Sequence, residues 1–322
     1  MSDFTVAVTG AAGYIGSRVL ALLAERRPDW SVTALDNFYL GDVERVGDVP
    51  VRDVDVRDRE ALEAALAGAD VVLHLAAISG VDDCEDNADL AYETNVQGTE
   101  NVAWFCRRTG AAMVFPFSMA VLGDPRSFPI TVDHPREPMN WYGRTKLASE
   151  RSIEVFAEGA FPAHQFMISN LYGSHVVEGQ RVSKGTVINF FVDRARAGET
   201  LTVYEPGSQS RNFVHVNDVA RAYLRSADRL RDALAAGETG STAFEIASAE
   251  DPSVMTIAEL VADVASETGE RPPIEVVENP RAGEETLTEE FAVDTSRART
   301  ELGWRAEHTV EGVVREAFEA AE

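Results

Sequence analysis

Tyr142-Gly-Arg-Thr-Lys146 places a phenol and an ammonium four residues apart. On a helix that spacing puts both side chains on one face. A phenol, with an ordinary pKa of about 10, is a poor base. A neighbouring cation favours the phenolate and moves that value toward working pH. Ser118 ends the fifth predicted strand, at the carboxyl edge where ligands gather in open α/β sheets. A pair at this spacing also occurs on ordinary surfaces. Here, however, the chain has only two lysines, Lys146 and Lys184, beside 27 arginines, and one of the two falls on this motif. Lys184 reads more readily as a surface residue than as a site residue.

A second group of residues suits a dinucleotide. Thr9-Gly10-Ala-Ala-Gly13-Tyr14-Ile15-Gly16 lies between the first predicted strand and the first helix. Glycines there allow a tight turn, close approach to a pyrophosphate and close helix–strand packing, while the helix N-terminus offers N–H donors. Asp36 ends the second strand, 20 residues after Gly16. A carboxylate there accepts both ribose hydroxyls and repels a 2′-phosphate. Asn37 and Phe38 follow, with no adjacent arginine, so NAD is favoured over NADP. Asp55 and Val56, after the third strand, are placed to meet the adenine edge. The nicotinium charge of oxidised NAD would add to that of Lys146 beside Tyr142.

These residues need a scaffold, and the hydrophobic pattern supplies one. Apolar, strand-like runs at 4–9, 31–35, 51–54, 71–76, 112–117 and 164–169 alternate with helical patterns at 14–27, 58–67, 87–109 and 141–158. That rhythm predicts an α/β fold, a doubly wound parallel (Rossmann) sheet covered on both faces. After Asn170 it breaks. Helices are expected at 184–197, 217–235 and 256–268, the last opened by a capping box from Thr256 to Glu259. The acidic stretch 278–290 reads as a loop. The expected division is an NAD-binding domain over 1–170, with 212–235 returning to it. Residues 171–211 and 236–322 would mainly form a smaller C-terminal α/β substrate-binding lobe.

Composition limits the partners. Among 322 residues, 54 are acidic and 29 basic, a net charge of −25. Hydrophobics at 45% are ordinary for a protein with a real core, so the charge does not signal disorder. Such a surface excludes nucleic acid and anionic membranes as natural partners. Self-repulsion on this scale favours a salty cytoplasm, where about 1 M salt shortens the screening length to roughly 3 Å. Two cysteines without a CxxC indicate a reducing compartment, and the six histidines have no metal-ligand spacing, so no metal is expected. No signal peptide or membrane span is expected either.

Taken together, these motifs closely resemble the extended short-chain dehydrogenase/reductase family, especially nucleotide-sugar epimerases of the UDP-glucose 4-epimerase type. The resemblance spans the chain. It includes Thr9–Gly16, Asp36-Asn37, His74-Leu75-Ala76-Ala77, Asn95-Val-Gln-Gly-Thr99, Ser118, Tyr142–Lys146, Asn170-Leu-Tyr-Gly173, Gly207–Ala220 and Leu302-Gly-Trp304. By resemblance, Tyr142 is the general base, Lys146 holds the nicotinamide ribose and lowers the tyrosine pKa, and Ser118 bonds the reacting hydroxyl. Leu75, Ala76, Ala77 and Asn95 would line the cofactor. Asn170, Arg211 and Arg281 match positions that hold a nucleotide diphosphate, and Tyr204 is placed either to flank the base or to pack in the core. Homodimers are common in the family, through helices corresponding to 87–109 and 141–158.

Departures from the family pattern narrow the expectation. Related dehydratases and decarboxylases place acids just after the active-site hydroxyl, where Met119 and Ala120 stand here. That leaves epimerisation through a 4-keto sugar, or net redox by an NAD-linked sugar dehydrogenase. A non-catalytic NAD-binding regulator is the third reading, opposed by the complete Ser118, Tyr142 and Lys146. Phe291, aligned through Asp294, matches a position whose bulk disfavours N-acetylated sugars.

Overall fold

The computed structural model describes residues 4–280, 283 and 286–319. The first half runs β1 (Thr5–Thr9), α1 (Tyr14–Arg26), β2 (Ser31–Asp36), β3 (Arg45–Val46), β4 (Val49–Asp53), α2 (Arg59–Leu66), β5 (Val71–His74), α3 (Val81–Asp86), α4 (Ala88–Tyr92), α5 (Thr99–Thr109), β6 (Ala112–Ser118), α6 (Trp141–Ala157) and β7 (Pro162–Ile168). The second half runs β8 (Asn170–Tyr172), β9 (Ser174–Val177), β10 (Gln180–Ser183), α7 (Val187–Arg196), β11 (Leu201–Tyr204), β12 (Phe213–His215), α8 (Val216–Ala236), β13 (Gly240–Ile246), α9 (Val254–Ser266), β14 (Ile274–Val277), α10 (Ser296–Glu301) and α11 (Val310–Glu319).

The expected parallel sheet is present, in the order β13-β7-β6-β5-β1-β2-β4-β3. Only β3 runs antiparallel to its neighbour. Every residue of β5 and β7 is buried, as parallel strands covered on both faces require. From β1 the chain winds outward to β2 and β4, then crosses to β5 and winds outward to β6 and β7. That reversal opens a crevice at the carboxyl ends of β1 and β5, the place where such sheets bind ligands.

Two apolar cores flank the sheet. Leu20 and Leu23 of α1 meet Val219, Tyr223 and Leu230 of α8 on one face. Leu62 of α2, Val102 and Phe105 of α5, and Ile153 of α6 cover the other. Each such side chain contributes about 1.5–3 kcal/mol on full burial. A third core joins Phe191 of α7, Val203 of β11, Val261 of α9 and Val314 of α11. Among the described residues, no helix is long and apolar enough to cross a membrane.

Four local expectations are corrected. Gly240–Ile246 joins the large sheet beside β7, so the segment 236–322 opens with a strand of the nucleotide-binding sheet. The helix expected over 87–109 runs on without a break but is not α-helical throughout: Glu93–Gly98, which carries the buried Asn95, is wound as a π-helix. The α9 cap is Ser253, whose side chain accepts from the Thr256 amide, so the helix starts two residues before the expected Thr256. The helix expected from 184 begins at Val187, leaving Lys184 to Thr186 as connecting chain.

Candidate active site

A cavity of about 800 Å³ opens at the switch point and receives residues from both halves of the chain. Gly10, at φ 69°, makes the turn after β1, and a Cβ there would lie 2.5 Å from the Ala76 nitrogen. Gly13 then caps α1 without any side-chain hydrogen bond. The first N–H groups of α1 are therefore left for an anion, with Gly13, Tyr14, Ile15 and Gly16 in the cavity wall. The Tyr14 hydroxyl donates to the carbonyls of Tyr172 at 2.9 Å and Gly173 at 2.6 Å, tying α1 to the second half of the chain.

Asp36 lines the same cavity. One carboxylate oxygen accepts from the Ala12 amide at 2.9 Å, the other from Phe38 at 2.8 Å. Burial nevertheless raises its pKa above the ordinary value. Asn37, Val56, Leu75, Ala76 and Ala77 also stand in the wall. Asp55 does not. Arg57 holds it at 2.8 Å and Asn37 at 3.1 Å, and the Arg57 bond lowers its pKa to about 2. Arg57 takes its place in the wall, its charge already met by Asp55 and by Glu93 at 3.0 Å.

Asn95 is likewise outside the wall. Its side chain accepts from the Ile78 amide at 2.8 Å and donates to the Ile78 carbonyl at 3.0 Å and to Thr145 Oγ1 at 3.1 Å. It acts on the cavity through others, fixing the loop after β5 against the turn of α6 that carries the tyrosine and lysine.

Asn140 caps α6, accepting from the Gly143 amide at 2.9 Å. A Cβ on Gly143 would lie 2.6 Å from the Ala120 carbonyl, so glycine lets this helix approach the end of β6. Ser118, Tyr142 and Lys146 thereby meet in one cavity with the glycine turn and Asp36. Ser118 Oγ also accepts from the Ala120 amide at 3.2 Å. Lys146 Nζ donates to the Pro116 carbonyl at 3.2 Å and lies 4.9 Å from the Phe115 ring centre. Burial brings its pKa down to about 8. Burial pushes Tyr142 up to about 12, against a hydrogen bond with Ser118 that works the other way. Lys146 is not among the charges that shift Tyr142, its ammonium being bonded to the Pro116 carbonyl.

The expected substrate residues are only partly gathered. Asn170 lines the cavity and donates to the Asn212 carbonyl at 3.1 Å. Arg211 is outside it, donating to the carbonyls of Ser210 at 2.8 Å and Thr286 at 2.5 Å. Tyr204 is 40% exposed on β11, also outside. Arg281 lies outside the described residues. Phe291 is buried in the core on the α2, α5 and α6 face of the sheet and is not in the cavity wall. His215 caps α8 by accepting from the Asn217 amide at 3.2 Å. Lys184, expected at the surface, is in the cavity wall. Its position in a lysine-poor chain was the one signal that could have found it.

Residues 6–239 match the NAD dependent epimerase/dehydratase family. A UDP-glucose 4-epimerase of Corynebacterium glutamicum is 30% identical over 314 residues, covering 94% of this chain and 91% of that protein. The low-salt glycan biosynthesis protein Agl12 of Haloferax volcanii is also 30% identical, over 316 residues, covering 95% and 94%. The crystal structure of the Thermus thermophilus UDP-glucose 4-epimerase in complex with NAD superposes with a TM-score of 0.80 at 26% identity, covering 99% of this chain and 100% of that one.

Proposed function

The chain belongs to the NAD dependent epimerase/dehydratase family, and we propose that it is an NAD-dependent nucleotide-sugar 4-epimerase of the UDP-glucose/UDP-galactose type. The observation that carries this reading is the meeting of Ser118, Tyr142 and Lys146 with Gly10, Gly13 and Asp36 around one cavity.

The residues present fit NAD. The uncapped N-terminus of α1 suits its pyrophosphate, and the Asp36 carboxylate suits a ribose diol while opposing a 2′-phosphate. Bound NAD supplies the hydride acceptor and donor, and its oxidised ring adds positive charge beside the phenol. Tyr142 takes the proton of the C4 hydroxyl and later returns it to the same oxygen, once C4 has been reduced from its opposite face. Ser118 orients that hydroxyl by hydrogen bonding. Lys146 contributes an ammonium on the same helical face, opposing the burial that keeps Tyr142 protonated. Met119 and Ala120 stand outside the cavity wall and carry no acid, so nothing beside Ser118 drives water loss. The 4-keto sugar formed on oxidation turns over while its nucleotide stays anchored, binding energy from the remote group compensating for the loose sugar.

Asn170 and the lobe formed by 171–211 and the residues after β13 belong to the nucleotide-sugar side in this reading, with Arg211, Tyr204 and Arg281 contributing once substrate is bound. A homodimer in a salty cytoplasm completes it. Incubation with UDP-glucose or UDP-galactose tests it. Interconversion without net NADH is expected; one NADH per sugar consumed would make the protein a sugar dehydrogenase instead.

A further inference from the structure

Residues 119–141 join Ser118 to Tyr142 and hold one short helical turn, Met119–Val121. A loop of that length does not by itself fix the distance from a hydroxyl to a phenol. Three contacts draw the end of β6 and α6 together instead. They lie on one helical face, at positions 143, 146 and 150. Gly143 lies against the Ala120 carbonyl, and Lys146 donates to that of Pro116 at 3.2 Å. The third contact starts at Glu150 and runs through Arg136 of the loop.

Arg136 uses nearly all of its guanidinium edge. Nε and Nη2 grip the two oxygens of the Glu150 carboxylate at 3.1 and 2.7 Å. Nη1 donates to the His134 carbonyl at 2.6 Å, and Nη2 also to that of Val132 at 2.7 Å. The guanidinium carbon stands over the ring of Phe117, 5.5 Å from its centre, and Phe117 directly precedes Ser118. The ion pair is buried, its side chains 9% and 3% exposed. Burial alone argues little, because desolvation offsets the attraction of such a pair. The fork is the informative part: it holds the helix, two loop carbonyls and the ring at once, which an ammonium cannot do. Glu245 of β13 steadies the same loop, accepting from the Val132 amide at 2.6 Å.

We propose that Arg136 is a positioning residue which, acting through Phe117 and Glu150, keeps Ser118 within hydrogen-bond reach of Tyr142. Its kinetic test rests on the nucleotide-sugar reading of the site. In that reading Lys146 serves the cofactor and the phenol, and the Arg136 contact stays in place while it does so. The phenol is faced by Ser118 from β6 and by Cys84 from α3, and of these Ser118 lowers its pKa. Loosening the Arg136 contact should therefore raise the pKa of the base.

The test measures wild type, Arg136→Lys and Phe117→Leu on UDP-glucose and UDP-galactose, as the full chain with NAD bound. Each carries a thermal melt as a control of folding. Arg136→Lys keeps a cation for Glu150 but loses the fork and the flat face. Its kcat should fall by about 10-fold or more, toward the roughly 100-fold that a misplacement of about 1 Å costs, with KM unchanged. The acid limb of its pH–rate profile should move upward. A lower melting temperature with kcat and limb unmoved overturns the proposal and leaves Arg136 a structural residue. The same measurements on Ser118→Ala close a double-mutant cycle. In that background Arg136→Lys should cost less than about 2-fold, and additive losses overturn the proposal. If Arg136→Lys does not fold, Phe117→Leu, which keeps an apolar side chain without the ring, must show the same pattern; wild-type kinetics there contradict it. If the wild type converts neither sugar, the nucleotide-sugar reading falls by itself. Crystal structures of the wild type and the folded variant then decide. Loss of the Ser118–Tyr142 hydrogen bond in the variant supports the positioning role, and an intact bond overturns it.

Discussion

Lys146 Nζ donates to the Pro116 carbonyl at 3.2 Å, joining the helix of the proposed base to the strand that ends in Ser118. The ammonium is thus held by a neutral oxygen, while burial lowers its pKa to about 8 and raises that of Tyr142 to about 12. The groups proposed for catalysis share one cavity, with Tyr142 on the protonated side of neutrality.

Oxidised NAD brings positive charge into this cavity, so its binding should be linked to protons. Raising the pH through about 8 neutralises Lys146 and brings Tyr142 nearer to ionisation, and both changes favour the cationic ring. NAD affinity measured calorimetrically should therefore rise from pH 7 to pH 9. In Lys146→Met the dependence should be markedly flatter. An affinity that falls over this range contradicts the assigned charges.

Loss of the ammonium should also cost turnover. Lys146→Met is expected to lower kcat by about 100-fold or more, within the range of general acid–base contributions. The acid limb of its pH–rate profile should move upward, because less positive charge opposes the buried phenol. A reduced kcat with an unmoved limb would limit Lys146 to holding the ribose.

Asn95 grips both backbone groups of Ile78. Asn95→Ala leaves those buried groups unpaired, and unfolding in denaturant should register a loss of about 2–3 kcal/mol. NAD affinity should fall with it, since Ile78 lines the cavity. Stability within about 0.5 kcal/mol of wild type, the range of an ordinary surface change, contradicts this role.

Asp36 should decide between the two dinucleotides. Asp36→Ala removes a ribose acceptor and the repulsion of a 2′-phosphate, so the NAD/NADP affinity ratio should shrink by about tenfold or more. An unchanged ratio would transfer the selection elsewhere.

Salt provides a separate test. At about 0.05 M the screening length exceeds roughly 10 Å, and a −25 surface should repel itself enough to unfold. Circular dichroism on dilution from about 2 M salt should follow the transition, the range over which screening grows from short to long. Full stability at the low end would remove the salt-adapted reading.

Much of this site was legible because its residues sit at fixed offsets from local elements. The glycine turn needs a strand before it and a helix after it. Asp36 needs only the end of β2. Tyr142 and Lys146 need one helical turn. Each is a short-range pattern that the sequence carries openly. Asn95 was legible as important but not as indirect, since no spacing says that a side chain in a π-helical segment turns toward Ile78. Asp55 was drawn off by Arg57, two residues away, a choice made by side-chain geometry. β13 was missed because Gly-Ser-Thr-Ala at its start lacks an apolar run, and the pairing with β7 is what buries it. Lys184 was hidden because only tertiary folding carries the segment after the β9–β10 hairpin to the loop after β5. Arg211 and Tyr204 matched a motif, yet Arg211 is bonded to the Thr286 carbonyl rather than turned to the cavity.

The central claim is that hydride leaves C4 and returns to the same carbon within one cavity. It is tested most directly with UDP-galactose carrying deuterium at C4, incubated with the purified protein and no added cofactor. The account predicts UDP-glucose that keeps deuterium at C4, with no net NADH in the near-ultraviolet absorbance of the reduced nicotinamide. Deuterium lost to solvent, or reduced cofactor accumulating in step with sugar consumed, would contradict it.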